Sequence, residues 1–297
     1  MSQEQHQVGT PTCYRHPQRE TYVRCVRCDR PICPDCMRTA SVGFQCPECV
    51  AEGRRTVRAP RTAFGGSQAG QHGYVTMTLM AINTLVLLAS LALGGTKGVG
   101  SALLGGSTSL HEWGAVIGLA RLQNGDVIGV AAGQYYRLFT AMFLHFGVLH
   151  LALNMWALWI LGRYLERALG PARYLTLYLL SGLGGSVSAF LFAPQSLTAG
   201  ASGAIFGLFA ALFVINRKLG LDNSQVVVLI VINLMFSLYG HISLSGHVGG
   251  LIAGGLVALG FAYAPRAQRT QIQVATAVAV LVLLLVLTVT GTSMLLG

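Results

Sequence analysis

Seven apolar runs account for nearly half of the chain, at residues 75–94, 138–161, 172–193, 202–216, 225–240, 246–264 and 273–295. Most approach the roughly 20 residues that a helix needs to cross a bilayer. The fourth and fifth are short. The fourth follows a turn of small residues, Gly200-Ala201-Ser202-Gly203, so its helix is expected to begin below the membrane surface. Irregular backbone at that depth is tolerated only where protein or a water-filled cavity surrounds it. Ahead of the first run the pattern changes. Residues 1–10 are polar and aperiodic, which predicts disorder, and residues 53–73 are rich in Arg, Gly, Gln and Ser, which predicts a basic flexible linker. The chain is therefore expected to be an all-α polytopic membrane protein over 74–297, preceded by a small domain at 11–52.

That small domain holds every cysteine of the chain. They fall into four two-ligand knuckles: Cys13-x2-His16, Cys25-x2-Cys28, Cys33-x2-Cys36 and Cys46-x2-Cys49. Tetrahedral zinc takes four thiolate or imidazole ligands, and a two-residue spacer lets one tight turn aim two of them at the same ion. Eight ligands make two structural Zn²⁺ sites, with no open position left for a catalytic metal. A segment this short cannot bury a large core, so metal is expected to supply its folding energy. The pattern resembles a B-box-type zinc finger, although that family usually has more histidine in its later knuckles. The resemblance implies interleaved ligands, with Cys13, His16, Cys33 and Cys36 on one ion and Cys25, Cys28, Cys46 and Cys49 on the other. Spacing alone leaves sequential pairing open.

Composition agrees with the apolar pattern: 53% of residues are hydrophobic and only 10% charged, against roughly a quarter charged in soluble domains. The net charge of +10 is explained by where the cations lie. With residue 1 in the cytosol, the inside connections carry Arg54, Arg55, Arg58 and Arg61, then Arg163, Arg167 and Arg173, then Arg217 and Lys218, then Arg266 and Arg269. The outside connections at 194–201 and 241–245 carry none, and only the loop 95–137 departs, with Lys97, Arg121 and Arg137. This is the positive-inside pattern. It predicts seven spans, a cytoplasmic N-terminus, an extracytoplasmic C-terminus and no nucleic-acid partner. No signal peptide precedes the first run, which places the cysteines among reduced cytosolic thiols. An arginine-rich, Ala/Gly-rich chain points to a bacterial plasma membrane. The linker arginines are read either as contacts to anionic lipid headgroups or as a solvated charge run.

Ionisable groups within spans are costly and point to function. The second run carries His145, His150 and Asn154, and positions 150 and 154 share one helix face. The sixth carries His247, then Gly250-x3-Gly254, a spacing that lets two helices approach closely. In the predicted topology Ser202 and His247 begin their helices at similar depth, and His150 and Asn154 enter from the same outer side. His145 is read as a brace for the loop before the second span. His241 is read as solvated, and Asn83 and Asn233 as interhelical hydrogen-bonding residues.

At this point the chain resembles the rhomboid intramembrane serine proteases. The resemblance rests on Tyr135-Tyr136-Arg137-Leu138-Phe139-Thr140, His145-x4-His150-x3-Asn154, Gly200-x-Ser202-Gly203 and His247-x2-Gly250-x3-Gly254. It implies a six-helix core plus one C-terminal helix, with Ser202 as nucleophile and His247 as general base. It also implies an oxyanion hole from His150, Asn154 and the Ser202 backbone N–H, and cleavage of transmembrane protein substrates. The family often has Trp at the position of Tyr136 and Tyr at that of Phe206. Phe206 keeps the ring that can stack on His247 but not the hydroxyl. The resemblance also implies a lateral gate at the fifth span, and the zinc domain is read as binding a cytosolic protein partner. The alternative is a catalytically silent rhomboid-like escort protein. Such relatives usually lose the Ser or the His, and this chain keeps both. A transporter or zinc sensor would need acidic residues inside its spans, and the predicted spans have essentially none.

Overall fold

A computed structural model of the protein describes residues 9–56, 61–68, 73–104, 106–122, 125–239 and 243–297. The chain divides into two compact units, residues 1–60 and 61–297.

The first unit has almost no regular structure, because its buried residues are its ligands. Six cysteines and Ile32 are its buried hydrophobic positions, and the seventh cysteine, Cys28, is half-buried against them. A 3-10 turn at Pro34–Cys36 is followed by strands β1 (Arg38–Thr39) and β2 (Phe44–Gln45), paired antiparallel with Thr39 opposite Phe44. Gly43, at φ +64°, makes the turn between them, where an L side chain would also run into Val26. Helix α1 (Pro47–Thr56) closes the unit, starting on a proline that has no amide to leave unpaired. The first residues of the expected linker, 53–56, are thus the last turn of a helix.

The second unit is a helical membrane domain. Its elements are α2 (Tyr74–Leu104), α3 (Ser109–Gly114), the hairpin β3 (Ala120–Arg121) and β4 (Val127–Ile128), and α4 (Arg137–Thr140). Then follow α5 (Val148–Leu169), α6 (Pro171–Phe192), α7 (Ser202–Leu219), α8 (Ser224–Tyr239), α9 (Leu244–Tyr263) and α10 (Arg269–Leu296). Six of these are long and apolar enough to cross a membrane, whereas the apolar stretch of α8, Ser224–Leu238, is shorter. The chain is an all-α polytopic membrane protein.

Several further expectations need correction. The second apolar run is not one span: α4 and a 3-10 turn at Ala141–Phe143 precede a loop, and the crossing helix begins only at Val148. Gly147, which leads into α5 in extended conformation, separates the two pieces. That helix then continues to Leu169, which brings Glu166 inside it, fully buried. The spans therefore do contain an acidic residue. Its carboxylate accepts from the Val75 and Thr76 amides at 3.0 and 2.9 Å and from the Thr76 hydroxyl at 2.8 Å. Those are donors at the start of α2 that lack partners within their own helix. A buried carboxylate is tolerable when its lone pairs are filled and a helix dipole faces it. Finally, residues 61–68 of the expected linker are packed: Phe64 is buried, and the Ala63 and Phe64 carbonyls accept from Arg269 and Gln273 at 3.1 Å each.

The centre of the membrane unit is the packing of α6, α7 and α9. Glycine makes it possible. A Cβ on Gly250 of α9 would collide with the Gly203 carbonyl of α7, and one on Gly254 would meet the Gly207 Cα. Two backbones that touch in this way gain dispersion contact along their length, the main source of helix association where lipid is as apolar as the side chains. The Asn83 and Asn233 amides donate to the Leu79 and Leu229 carbonyls of their own helices, and Asn83 also meets the Tyr178 hydroxyl of α6. His241 lies outside the described residues.

Candidate functional site: a serine–histidine pair and two metal-ligand clusters

Ser202 is the first residue of α7. The chain reaches it through a segment fixed on two sides. Val116 and Thr198 exchange both backbone hydrogen bonds at 2.8 Å, and the Gly200 amide donates to the Ala141 carbonyl at 2.9 Å. Gly200 sits at φ +141°, a conformation that L residues rarely adopt. A Cβ there would lie 3.0 Å from His150 Nε2 and 3.6 Å from Ser202 Oγ. Glycine at this position leaves the space between the serine hydroxyl and His150 open.

His247, in the first turn of α9, meets Ser202 from the neighbouring helix. Its Nε2 is 2.8 Å from Ser202 Oγ. Phe206, one turn along α7, stacks on the imidazole with centroids 4.2 Å apart and planes 18° from parallel. The other ring nitrogen, Nδ1, lies 2.7 Å from the Ser237 hydroxyl of α8. The close passage of α7 past α9 that Gly203, Gly250 and Gly254 permit is what brings the two ends within hydrogen-bond reach.

Across the open space are the α5 residues. His150 is half-buried, and Asn154, one turn on, is buried with its side-chain Nδ2 without a hydrogen-bond partner among the described residues. A buried donor without a partner costs about 1–3 kcal/mol, and a site that must donate to a transient charge has reason to keep one. His145 is buried in the loop before α5, its Nδ1 3.3 Å from the Phe143 carbonyl and its ring edge-on to His150 at 5.0 Å. It braces His150 from outside the crossing helix.

Two residues of the site, Ser237 and His111, carry no sequence signal. Ser237 is an ordinary serine in an apolar run. His111, in the long loop before α4, is held by Thr108, whose hydroxyl is 2.9 Å from its Nδ1. Its ring stacks on Phe146 at 4.6 Å, and Phe146 in turn lies parallel to His150 at 6.5 Å. Burial pushes the His111 pKa down, which keeps this outermost ring neutral. Arg137, almost fully buried, donates to the Glu112 and Ala115 carbonyls at 2.8 and 3.0 Å and so ties the same loop to α4. Trp113 stays exposed at 53% and stacks on Tyr136 at 5.0 Å.

This geometry coincides with the region that known proteins share with the chain. Residues 132–266 match the rhomboid domain. The protein named "Putative rhomboid protease YdcA" of Bacillus subtilis (strain 168) is 36% identical over 138 residues, which cover 44% of this chain and 69% of that protein. The chain belongs to the rhomboid family. This rhomboid is also 45% identical over 131 residues to "Rhomboid protease GluP" of B. subtilis (strain 168), covering 42% of the chain and 26% of the relative. It is 37% identical over 139 residues to "RHOMBOID-like protein 6, mitochondrial" of Arabidopsis thaliana, covering 44% and 45%. The match thus spans about a quarter of the first of these two relatives and under half of the second. The rhomboid-domain match, 132–266, lies wholly in the membrane unit.

In the first unit the eight predicted ligands fall into two groups, Cys13, His16, Cys33 and Cys36, and Cys25, Cys28, Cys46 and Cys49. The ligand atoms of each lie within 4.8 Å of one another, so each group could hold a metal ion. His16 faces its group with Nδ1, 3.3 Å from Cys33 Sγ and 3.4 Å from Cys36 Sγ. Cys28 and Cys46 sulfurs are 3.8 Å apart, about the tetrahedral edge that metal–sulfur bonds of ~2.3 Å produce. Burial pushes the Cys13 and Cys25 thiols up, but backbone amide hydrogen bonds outweigh it and hold both at about 6. One such donor is the Cys46 amide, 3.2 Å from Cys25 Sγ. Arg30 Nε donates to Cys28 Sγ at 3.3 Å, a cation beside the group made of four cysteines.

Proposed function

We propose that this rhomboid is an intramembrane serine endopeptidase in which Ser202 is the nucleophile and His247 the general base. The observation that carries the reading is the 2.8 Å approach of His247 Nε2 to Ser202 Oγ. A serine hydroxyl is a weak nucleophile until a positioned base takes its proton. Nε2 accepts that proton as Oγ bonds to the scissile carbonyl carbon. The carbonyl oxygen becomes an oxyanion and takes hydrogen bonds from the Ser202 backbone N–H, His150 and Asn154. Ser202 N–H is free of intrahelical duty at the start of α7, and the helix dipole adds its positive end there. Collapse of the intermediate expels the amine, which takes its proton from Nε2. Water, deprotonated by the same nitrogen, then releases the acyl group from Ser202.

The substrate class follows from the site's place within the membrane domain: a transmembrane protein segment presented from the bilayer. The charge pattern supports a multi-pass protein of a bacterial plasma membrane with its N-terminus in the cytoplasm and the site opening to the outer side. For the first unit we propose a B-box-type module of two structural zinc ions that binds a cytosolic protein partner. Zinc suits a cysteine-rich tetrahedral donor set in a reducing compartment. It takes no part in peptide hydrolysis. The membrane domain itself requires no metal, and nucleic acid is not among the expected partners.

The function is tested with purified protein in detergent or liposomes and a labile single-span substrate. Ser202→Ala and His247→Ala are each expected to abolish cleavage with the fold intact. Undiminished cleavage by Ser202→Ala would remove the assignment.

A further inference from the structure

We propose that Ser237 is a positioning residue for the base, fixing His247 in the tautomer whose Nε2 lone pair faces Ser202. The inference rests on the Ser202/His247 reading. It adds a third residue, on a third helix, to what the sequence presents as a pair without an acidic partner.

Proton counting carries it. A neutral imidazole has one N–H to place on two nitrogens. His247 Nδ1 is 2.7 Å from Ser237 Oγ, and Nε2 is 2.8 Å from Ser202 Oγ. The Ser237 hydroxyl has a single proton, and its geometry sends that proton to the Asn233 carbonyl, 2.8 Å away in the same helix. A hydroxyl that has donated can only accept toward Nδ1. The ring proton therefore sits on Nδ1, and Nε2 is left as acceptor for the Ser202 hydroxyl. The hydrogen bonds then run in one direction, from Ser202 through His247 and Ser237 to the Asn233 carbonyl, and such chains polarise cooperatively.

Phe206 cannot do this. Stacking fixes the plane of the imidazole but leaves the ring free to present either edge, since a half-turn in that plane's own face preserves the contact. A hydrogen bond at Nδ1 tells the edges apart. Ser237 is also placed as a working polar group would be. It is 4% exposed, while its neighbours Met235, Phe236 and Leu238 face outward. When Nε2 takes the Ser202 proton, the Nδ1–H bond becomes charge-assisted and strengthens. A hydroxyl backed by a carbonyl is a weaker partner than a carboxylate, so its removal is expected to cost less than loss of a triad Asp.

The test uses the full-length protein, ¹⁵N-labelled at histidine, with Ser237→Ala and Ser237→Thr beside the wild type. The His247 signals are identified by their loss in His247→Ala. The wild type is expected to show the Nδ1-protonated tautomer, and Ser237→Ala a mixture of the two. In the cleavage assay Ser237→Ala should lower kcat about tenfold, the size of one lost hydrogen bond, with KM within about twofold. Ser237→Thr should restore most of the rate. A wild-type His247 protonated on Nε2 would overturn the proposal, and this measurement does not depend on either Ser237 variant folding. So would Ser237→Ala with unchanged kcat and tautomer. Cleavage that survives Ser202→Ala would instead overturn the underlying assignment, so the two failures are distinguishable.

Discussion

The two units of this rhomboid solve the same problem with opposite materials. In the first, the residues that form the buried core are the candidate metal ligands themselves: without them, Ile32 alone remains of that core among the described residues. In the second, the groups that do the chemistry stand on a scaffold built from something else, glycine-mediated contact between α6, α7 and α9. Ligand loss should therefore unfold the first unit as a whole. In the second, a site residue should be removable at little cost in stability, and a scaffold glycine should not. The difference is testable because each class of substitution has a distinct expected pattern.

Metal removal should have the largest effect. Structural zinc contributes on the order of 10–16 kcal/mol to small metal-folded modules. Chelation is expected to abolish protease resistance of residues 9–56 and leave serine labelling in the membrane unit unchanged. The bound-metal count, read by mass spectrometry of the native protein, should fall from two to zero; Cys33→Ser should cost one ion and leave the other. Affinity should fall as pH falls, since each thiolate ligand then competes with a proton. A membrane unit that loses its labelling with the metals would show the two units to be coupled.

Asn154→Ala should come next. Loss of one oxyanion donor typically lowers the rate by about 10²–10³. Stability should barely change or improve, because Nδ2 has no partner to lose. A loss of activity accompanied by an equal loss of thermal stability would move Asn154 from the site to the scaffold. Gly250→Ala makes the reverse prediction. The new methyl group meets the Gly203 carbonyl, backbone against backbone, and overpacking of this kind costs about 1–3 kcal/mol. A lowered midpoint in thermal unfolding is expected, with activity falling because the His247 end of α9 shifts from Ser202. The smallest effect belongs to Phe206→Leu. An aromatic pair contributes about 0.5–1.5 kcal/mol beyond its area, so kcat should drop by roughly tenfold or less.

Much of the candidate site could be read in the sequence because membranes make polar residues conspicuous. Ser202, His247, His150 and Asn154 stood out in runs of apolar residues. The knuckles were equally plain, since four Cys/His pairs at one spacing have few other uses. What escaped was whatever a run of residues cannot show about its neighbours. Glu166 fell beyond the expected end of the second span, and only the fold shows that its carboxylate fills the amides at the start of α2. The break at Gly147 was hidden because α4, the 3-10 turn and α5 are all apolar, so hydropathy reads through a loop. Ser237 and His111 act through contacts across helices and through a third ring. A serine in an apolar helix usually bonds the carbonyl four residues back, as Ser237 also does, and that habit concealed its second partner.

The central claim is that Ser202 is the nucleophile activated by His247, and one labelling experiment addresses it most directly. Intact protein in a bilayer is treated with a serine-directed phosphonate and the adduct is located by peptide mass spectrometry. The structure of the pair predicts one adduct, on Ser202, with its rate falling at least a hundredfold in His247→Ala. An adduct on any other serine, or equally fast labelling of Ser202 without His247, would contradict the account.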